Sequence, residues 1–144
     1  MNSSTDLPDN WKQLVTTARQ ARQQAYAPYS QFEVGAALQT ADGRIFTGCN
    51  VENASYGLTI CAERVAMSTA VAAGARDPRI LCVSLPGQPS PCGSCRQFLF
   101  EFNPGLLLLL DGCDSDNPPT SLRLSELLPH GFQLSRNTAH RDDQ

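Results

Sequence analysis

The chain has 144 residues and a mass of 15.6 kDa, the size of one domain, and needs no staples to fold: at this length it buries roughly two-thirds of its unfolded surface. Its net charge of -3, with one Lys and ten Arg scattered along the chain, excludes the basic face that a nucleic-acid backbone binder requires. No apolar run approaches the ~20 residues of a membrane span, and MNSSTDLPDN lacks the basic and apolar regions of a secretory signal, so a soluble cytoplasmic protein is expected.

Residues 1–9 are polar and are expected to fray. From Trp11, apolar residues at Leu14, Val15, Ala18, Ala21 and Ala25 mark one face of a helix, with Asp9 and Asn10 as candidate caps and Pro28 just past its end. Phe32 to Leu38 and Arg44 to Cys49 read as a hairpin about Ala41-Asp42-Gly43. The loop NVENASYGLTI leads to a second helix over about 61–73, closed by Gly74. Ile80 to Leu85 is a third strand, and a third helix covers about 92–102. Leu106 to Leu110 is wholly apolar, the signature of a strand covered on both faces. Ser121 to Leu124 forms a fifth strand and Glu126-Leu127-Leu128 a last helical turn, with a loose tail from about 133 to 144. This order predicts a single α/β domain over 1–144, with one mixed sheet and helices on both faces. The two central β-α-β units predict right-handed crossovers between parallel neighbours.

Three of the six cysteines stand apart chemically. Cys49 and Cys82 lie in strand-like runs, where a buried free thiol is expected, and Cys113 lies in a polar turn with no assigned role. Cys92 and Cys95 form a CxxC at a helix start, one turn apart, where free N–H groups and the helix dipole favour thiolates. That pair alone fits a zinc site, a redox dithiol or an inert buried pair. Cys61 heads the other crossover helix, and parallel strands bring both helix starts to one sheet edge. Three thiolates leave a tetrahedral zinc with one open position, the composition of a catalytic rather than a structural site. The two histidines, His130 and His140, lie outside this arrangement.

Glu63 follows Cys61 by two residues. Alone it would be an acidic residue suited to the dipole; beside an open zinc position it becomes a general acid/base. Arg64 either donates to the thiolates, relieving their excess negative charge, or is an ordinary surface charge. Arg96, after Cys95, presents the same choice.

CAER at 61–64 and PCGSCRQ at 91–97, preceded by APYSQFEVGAAL at 27–38 and GCNVENASY at 48–56, resemble the compact, homotetrameric, three-cysteine cytidine deaminases. The likeness covers about residues 11–102, with an echo in ELLP at 126–129. It implies a cytidine deaminase-like three-layer α/β/α sandwich around a mixed five-stranded sheet. It also implies zinc-dependent hydrolytic deamination of cytidine and deoxycytidine to uridine and deoxyuridine in pyrimidine salvage. One Zn²⁺ per subunit would be held by Cys61, Cys92 and Cys95, with Glu63 carrying protons and Arg64 bonding the thiolates. Asn50 and Glu52 would hydrogen-bond the ribose, chiefly its 3′-hydroxyl, and Phe32 would pack on the pyrimidine. The Ala62 N–H would hold the base carbonyl, and the Ser90 carbonyl would face the departing ammonia. Tyr56 and Phe132 would complete pockets of neighbouring subunits in a homotetramer.

Two of these roles have a bland alternative. Asn50 and Glu52 could bond their own loop's backbone, and Phe32 could be plain core. Among rival activities, deaminases of blasticidin S share CAE, PCGxCRQ and ELLP but differ where Glu52 and Arg64 stand here. A polynucleotide deaminase, a non-catalytic zinc module and a thiol redox protein fit the sequence less well.

Overall fold

The computed structural model describes residues 6–136. Helix α1 (Trp11–Arg22) precedes strands β1 (Gly35–Thr40) and β2 (Ile45–Cys49), and a 3-10 turn at Tyr56–Leu58 leads to α2 (Ala62–Ala72). Strand β3 (Pro78–Leu85), α3 (Gly93–Phe100), β4 (Leu107–Gly112), β5 (Thr120–Arg123) and the short α4 (Leu124–Leu127) follow. The strands form one mixed sheet in the order β2-β1-β3-β4-β5, as expected for a three-layer sandwich. On one face α1 packs Leu14, Val15 and Ala18 against Ala37, Cys82, Leu107 and Leu109. On the other, Ala66 and Met67 of α2 and Leu99 of α3 cover Ala36, Leu38, Leu81 and Leu108. The leucines of β4 thus alternate between two covered faces, which is why that run is continuously apolar.

The crossovers need one correction. Strands β3 and β4 are parallel neighbours, but β1 lies between β2 and β3 and pairs antiparallel with both. The hairpin leaves the second edge of β1 free, and β3 takes it, so β2 and β3 run parallel without touching. The feature that matters for the site survives: both strands end at the same sheet edge, and α2 and α3 start there.

Strand β1 begins at Gly35, not at Phe32. Ahead of it, the Asn50 side chain stands in for a strand: its Nδ2 donates to the Phe32 carbonyl at 2.7 Å and its Oδ1 accepts the Val34 N–H at 2.9 Å. Helix α1 ends at Arg22, three residues short of Ala25, because the chain turns to bond the Tyr26 N–H to the Asn50 carbonyl at 3.0 Å. Asn10 is its N-cap by position, but the side chain donates to Gln39 Oε1 instead. The segments expected to be loose are docked where described. Leu7 packs on the α1 core, and Arg136 pairs with Glu101 at 2.6 Å. Residues 1–5 and 137–144, His140 among them, lie outside the described residues.

Two close contacts fix the helices. Gly48 lets α2 press onto β2; a Cβ there would sit 2.4 Å from the Ala62 carbonyl and 2.5 Å from the Ala66 nitrogen. On the opposite face, Arg19 of α1 grips the fully buried Asp111 bidentately at 2.8 and 2.9 Å, and Ser84 donates to the same carboxylate at 2.7 Å.

Candidate metal centre

Because α2 and α3 start at one sheet edge, their first turns converge. Cys61 and Cys92 are the N-cap residues of α2 and α3, both in extended backbone, so each helix begins one residue later than expected. Cys95, in the first turn of α3, donates its N–H to the Cys92 sulfur at 3.5 Å. Cys61 Sγ lies 3.9 Å from Cys92 Sγ, Cys92 Sγ lies 3.4 Å from Cys95 Sγ, and all three sulfurs fall within 4.8 Å of one another. A tetrahedral zinc with bonds of about 2.3 Å needs sulfurs about 3.8 Å apart, so the cluster fits that ion without rearrangement of the backbone. All three are free thiols; Cys95 is buried, Cys61 half-buried and Cys92 exposed, so the cluster opens to one side.

The hydrogen bond from Cys95, aided by the Arg64 guanidinium, lowers the Cys61 thiol to about 5. Cys95 is pushed far up, because it shares its proton with Cys61 and is buried.

Glu63, in the first turn of α2, is only 4% exposed. Burial raises its carboxyl above the usual range, the neighbouring Cys61 charge adds to this, and contacts with Cys95 and Arg64 oppose it. Arg64 Nη2 donates to the Thr59 carbonyl at 3.3 Å and to Cys61 Sγ at 3.8 Å, while its buried Nε has no partner among the described residues. It is therefore no ordinary surface charge. Arg96 fits neither expected role. It donates to the Pro91 carbonyl at 2.7 Å, the Leu127 carbonyl at 2.9 Å and Ser90 Oγ at 2.9 Å, stapling the segment before Cys92 to the end of α4.

Asn50 and Glu52 do bond backbone, but that of the 29–34 segment rather than that of their own loop. Beyond the contacts of Asn50 given above, Glu52 Oε1 accepts the N–H groups of Tyr29 and Ser30 at 3.0 and 3.1 Å, and its Oε2 accepts the Ser30 hydroxyl. Each keeps spare capacity: Asn50 one N–H and one lone pair, Glu52 one lone pair. Phe32 is 47% exposed, so it is not plain core. Ala62 is buried at the first position of α2, where its N–H has no intrahelical acceptor. Ser90 is exposed. Tyr56 and Phe132 also stand exposed, the latter with its backbone clamped by both amide atoms of Gln97 at 2.9 and 3.1 Å.

A cavity of about 410 Å³ is lined by Tyr29, Ser30, Glu52, Asn53, Tyr56 and Thr59. A roomier one of about 600 Å³, bordered among others by Gly87–Ser90, Ser115, Asn117 and Thr120, is lined by no titratable side chain. Ser30 and Gln97 hold site residues without any sequence pattern to mark their role, although both stand inside the motifs quoted above. Cys49 and Cys82 have thiols raised by burial, consistent with inert packing.

Residues 8–109 match the family model described as the cytidine and deoxycytidylate deaminase zinc-binding region. A cytidine deaminase of Mycobacterium tuberculosis is 46% identical over 131 residues, covering 89% of this chain and 94% of that relative. One from Sporosarcina psychrophila is 44% identical over 124 residues, covering 84% and 90%. The crystal structure of cytidine deaminase from Burkholderia pseudomallei superposes with a TM-score of 0.80 at 45% identity, over 84% of this chain and 98% of that one.

Proposed function

The chain belongs to the cytidine and deoxycytidylate deaminase family, and on that premise we propose that it hydrolyses cytidine and deoxycytidine to uridine and deoxyuridine plus ammonia. The observation that carries this reading is a three-cysteine cluster spaced for one tetrahedral ion, with the buried carboxyl of Glu63 two residues from Cys61. Cys61, Cys92 and Cys95 hold the metal. Zinc bound there supplies a Lewis acid that brings the pKa of a water molecule to about 7.

The water oxygen bonds to C4 of the ring and the C4–N4 bond breaks. Its two protons end on N3 and on the departing amine, and Glu63 carries both. Burial suits Glu63 to this work, since a carboxyl raised toward neutrality both accepts and returns a proton. Arg64 holds the Cys61 thiolate and offsets the negative charge of the cluster. Phe32 packs on the pyrimidine, and the free N–H of Ala62 takes its carbonyl. The carbonyl of Ser90, in the segment that Arg96 staples, receives the leaving ammonia.

Asn50 and Glu52 bind the sugar through their remaining donor and acceptor positions. A half-buried, ionised carboxylate beside the sugar, on a chain of net charge -3, disfavours phosphorylated or polymeric substrates. The exposed side chains of Tyr26, Tyr29, Tyr56 and Leu58 give the same region an apolar surface suited to neighbouring subunits. We read the protein as a single-domain homotetramer of the cytoplasm, with Tyr56 and Phe132 reaching neighbouring pockets, working in pyrimidine salvage.

The test is steady-state turnover of cytidine, deoxycytidine, free cytosine and blasticidin S, followed by the ultraviolet change from cytosine to uracil. Turnover of both nucleosides with little on the other two is expected. Turnover of blasticidin S alone would overturn the sugar-side assignments.

A further inference from the structure

The motif APYSQF places a serine between the sugar-side and base-side walls of the proposed pocket. Ser30 Oγ donates to Glu52 Oε2 and at the same time accepts the Phe32 N–H at 3.0 Å. One hydroxyl thus ties the carboxylate to the backbone of the aromatic. Gln31 between them adopts φ +59°, a left-handed conformation that costs a non-glycine residue about 1 kcal/mol or more and persists only where its surroundings enforce it. Those surroundings are the Ser30 contacts, the Gln31 N–H bond to the Ala27 carbonyl at 2.9 Å, and the Asn50 bracket on Phe32 and Val34.

The arrangement also restricts Glu52. Both lone pairs of Oε1 are taken by backbone N–H groups, and one of Oε2 by Ser30. One acceptor position remains, and the Ser30 bond decides which way it points. The same bond is the main reason the Glu52 carboxyl lies below its ordinary range, keeping it ionised as a charge-assisted acceptor.

We propose that Ser30 is a positioning residue that sets recognition of the sugar 3′-hydroxyl, by aiming the last free lone pair of Glu52 while holding Phe32 in place. This rests on the reading above in which Glu52 contacts the sugar. The zinc-loaded enzyme and its S30A, S30T and E52Q variants are compared on cytidine and 3′-deoxycytidine. In wild type kcat/KM favours cytidine. In S30A that preference collapses by about tenfold, the worth of one charge-assisted hydrogen bond, through KM for cytidine rather than kcat. S30T, which keeps the hydroxyl, restores it. If S30A weakens both substrates equally, or keeps the wild-type preference while E52Q loses it, Ser30 has no such role and Glu52 keeps its own. If neither wild type nor E52Q distinguishes the two substrates, the reading of Glu52 fails and the role of Ser30 falls with it.

Discussion

Replacing Glu63 by Gln isolates the proton chemistry from everything else at the site. The amide keeps the shape of the carboxyl in a position only 4% exposed, and Glu63 is not among the three clustered thiol ligands, so fold and metal content should stay intact. No neighbour substitutes for it. The Glu52 carboxylate is committed to Tyr29 and Ser30, and the nearest other groups are thiols and Arg64. General acid–base catalysis contributes about 10²- to 10⁴-fold, and one side chain here serves two transfers, so the loss in kcat should approach 10⁴-fold. At 1.36 kcal/mol per decade, this is about 5 kcal/mol of transition-state stabilisation. KM should change little, and the thermal midpoint should not fall, because Gln removes a carboxyl that burial penalises. The assay is steady-state kinetics beside a zinc determination, with one ion per chain expected in both proteins. Activity within tenfold of wild type, with zinc bound, would refute the assigned proton carrier.

Further outcomes follow from the packing. Gly48→Ala forces a methyl against the backbone of α2, so it should destabilise the fold by about 3 kcal/mol in urea denaturation and weaken zinc retention against a chelator; unchanged zinc affinity would separate that contact from the metal site. Arg19→Ala leaves the fully buried Asp111 with only Ser84, at a cost of about 3 kcal/mol, the low end for a broken buried pair because the arginine is 35% exposed. Asp42 is held down to about 2 by the Thr40 hydroxyl and Arg44, below its unfolded value, so its stabilisation is present above pH ~4 and is lost as pH falls through about 2. Asp42→Ala should therefore lower the urea midpoint at neutral pH and lose that difference in acid; a gap that widens on acidification would contradict the sign.

What the sequence made legible was what short-range pattern encodes. The leucine run of β4, the Gly74 helix stop with φ +87° and the two cysteine-headed helices all depend on neighbours within one turn or one pleat. The metal cluster was readable because its ligands sit at the starts of helices, and only their common sheet edge had to be inferred. Partners brought together by the fold left no such trace. The insertion of β1 between β2 and β3 is a choice between sheet edges that periodicity does not encode. Asn50 serves as a stand-in strand 16 and 18 residues away in sequence, and Arg96 finds the Leu127 carbonyl 31 residues on. Leu7 and Arg136, each in a stretch that reads as loose, are held by the cluster under α1 and by the carbonyl and carboxylate of Glu101 at the end of α3.

The measurement that bears most directly on the central claim is cytidine turnover by the same preparation stripped of metal and then titrated with zinc. No deamination is expected without metal, with activity rising linearly to a break at one zinc per chain and uridine and ammonia appearing in equal amounts. Equal turnover before and after stripping, or zinc bound at one per chain with no uridine formed, would contradict it.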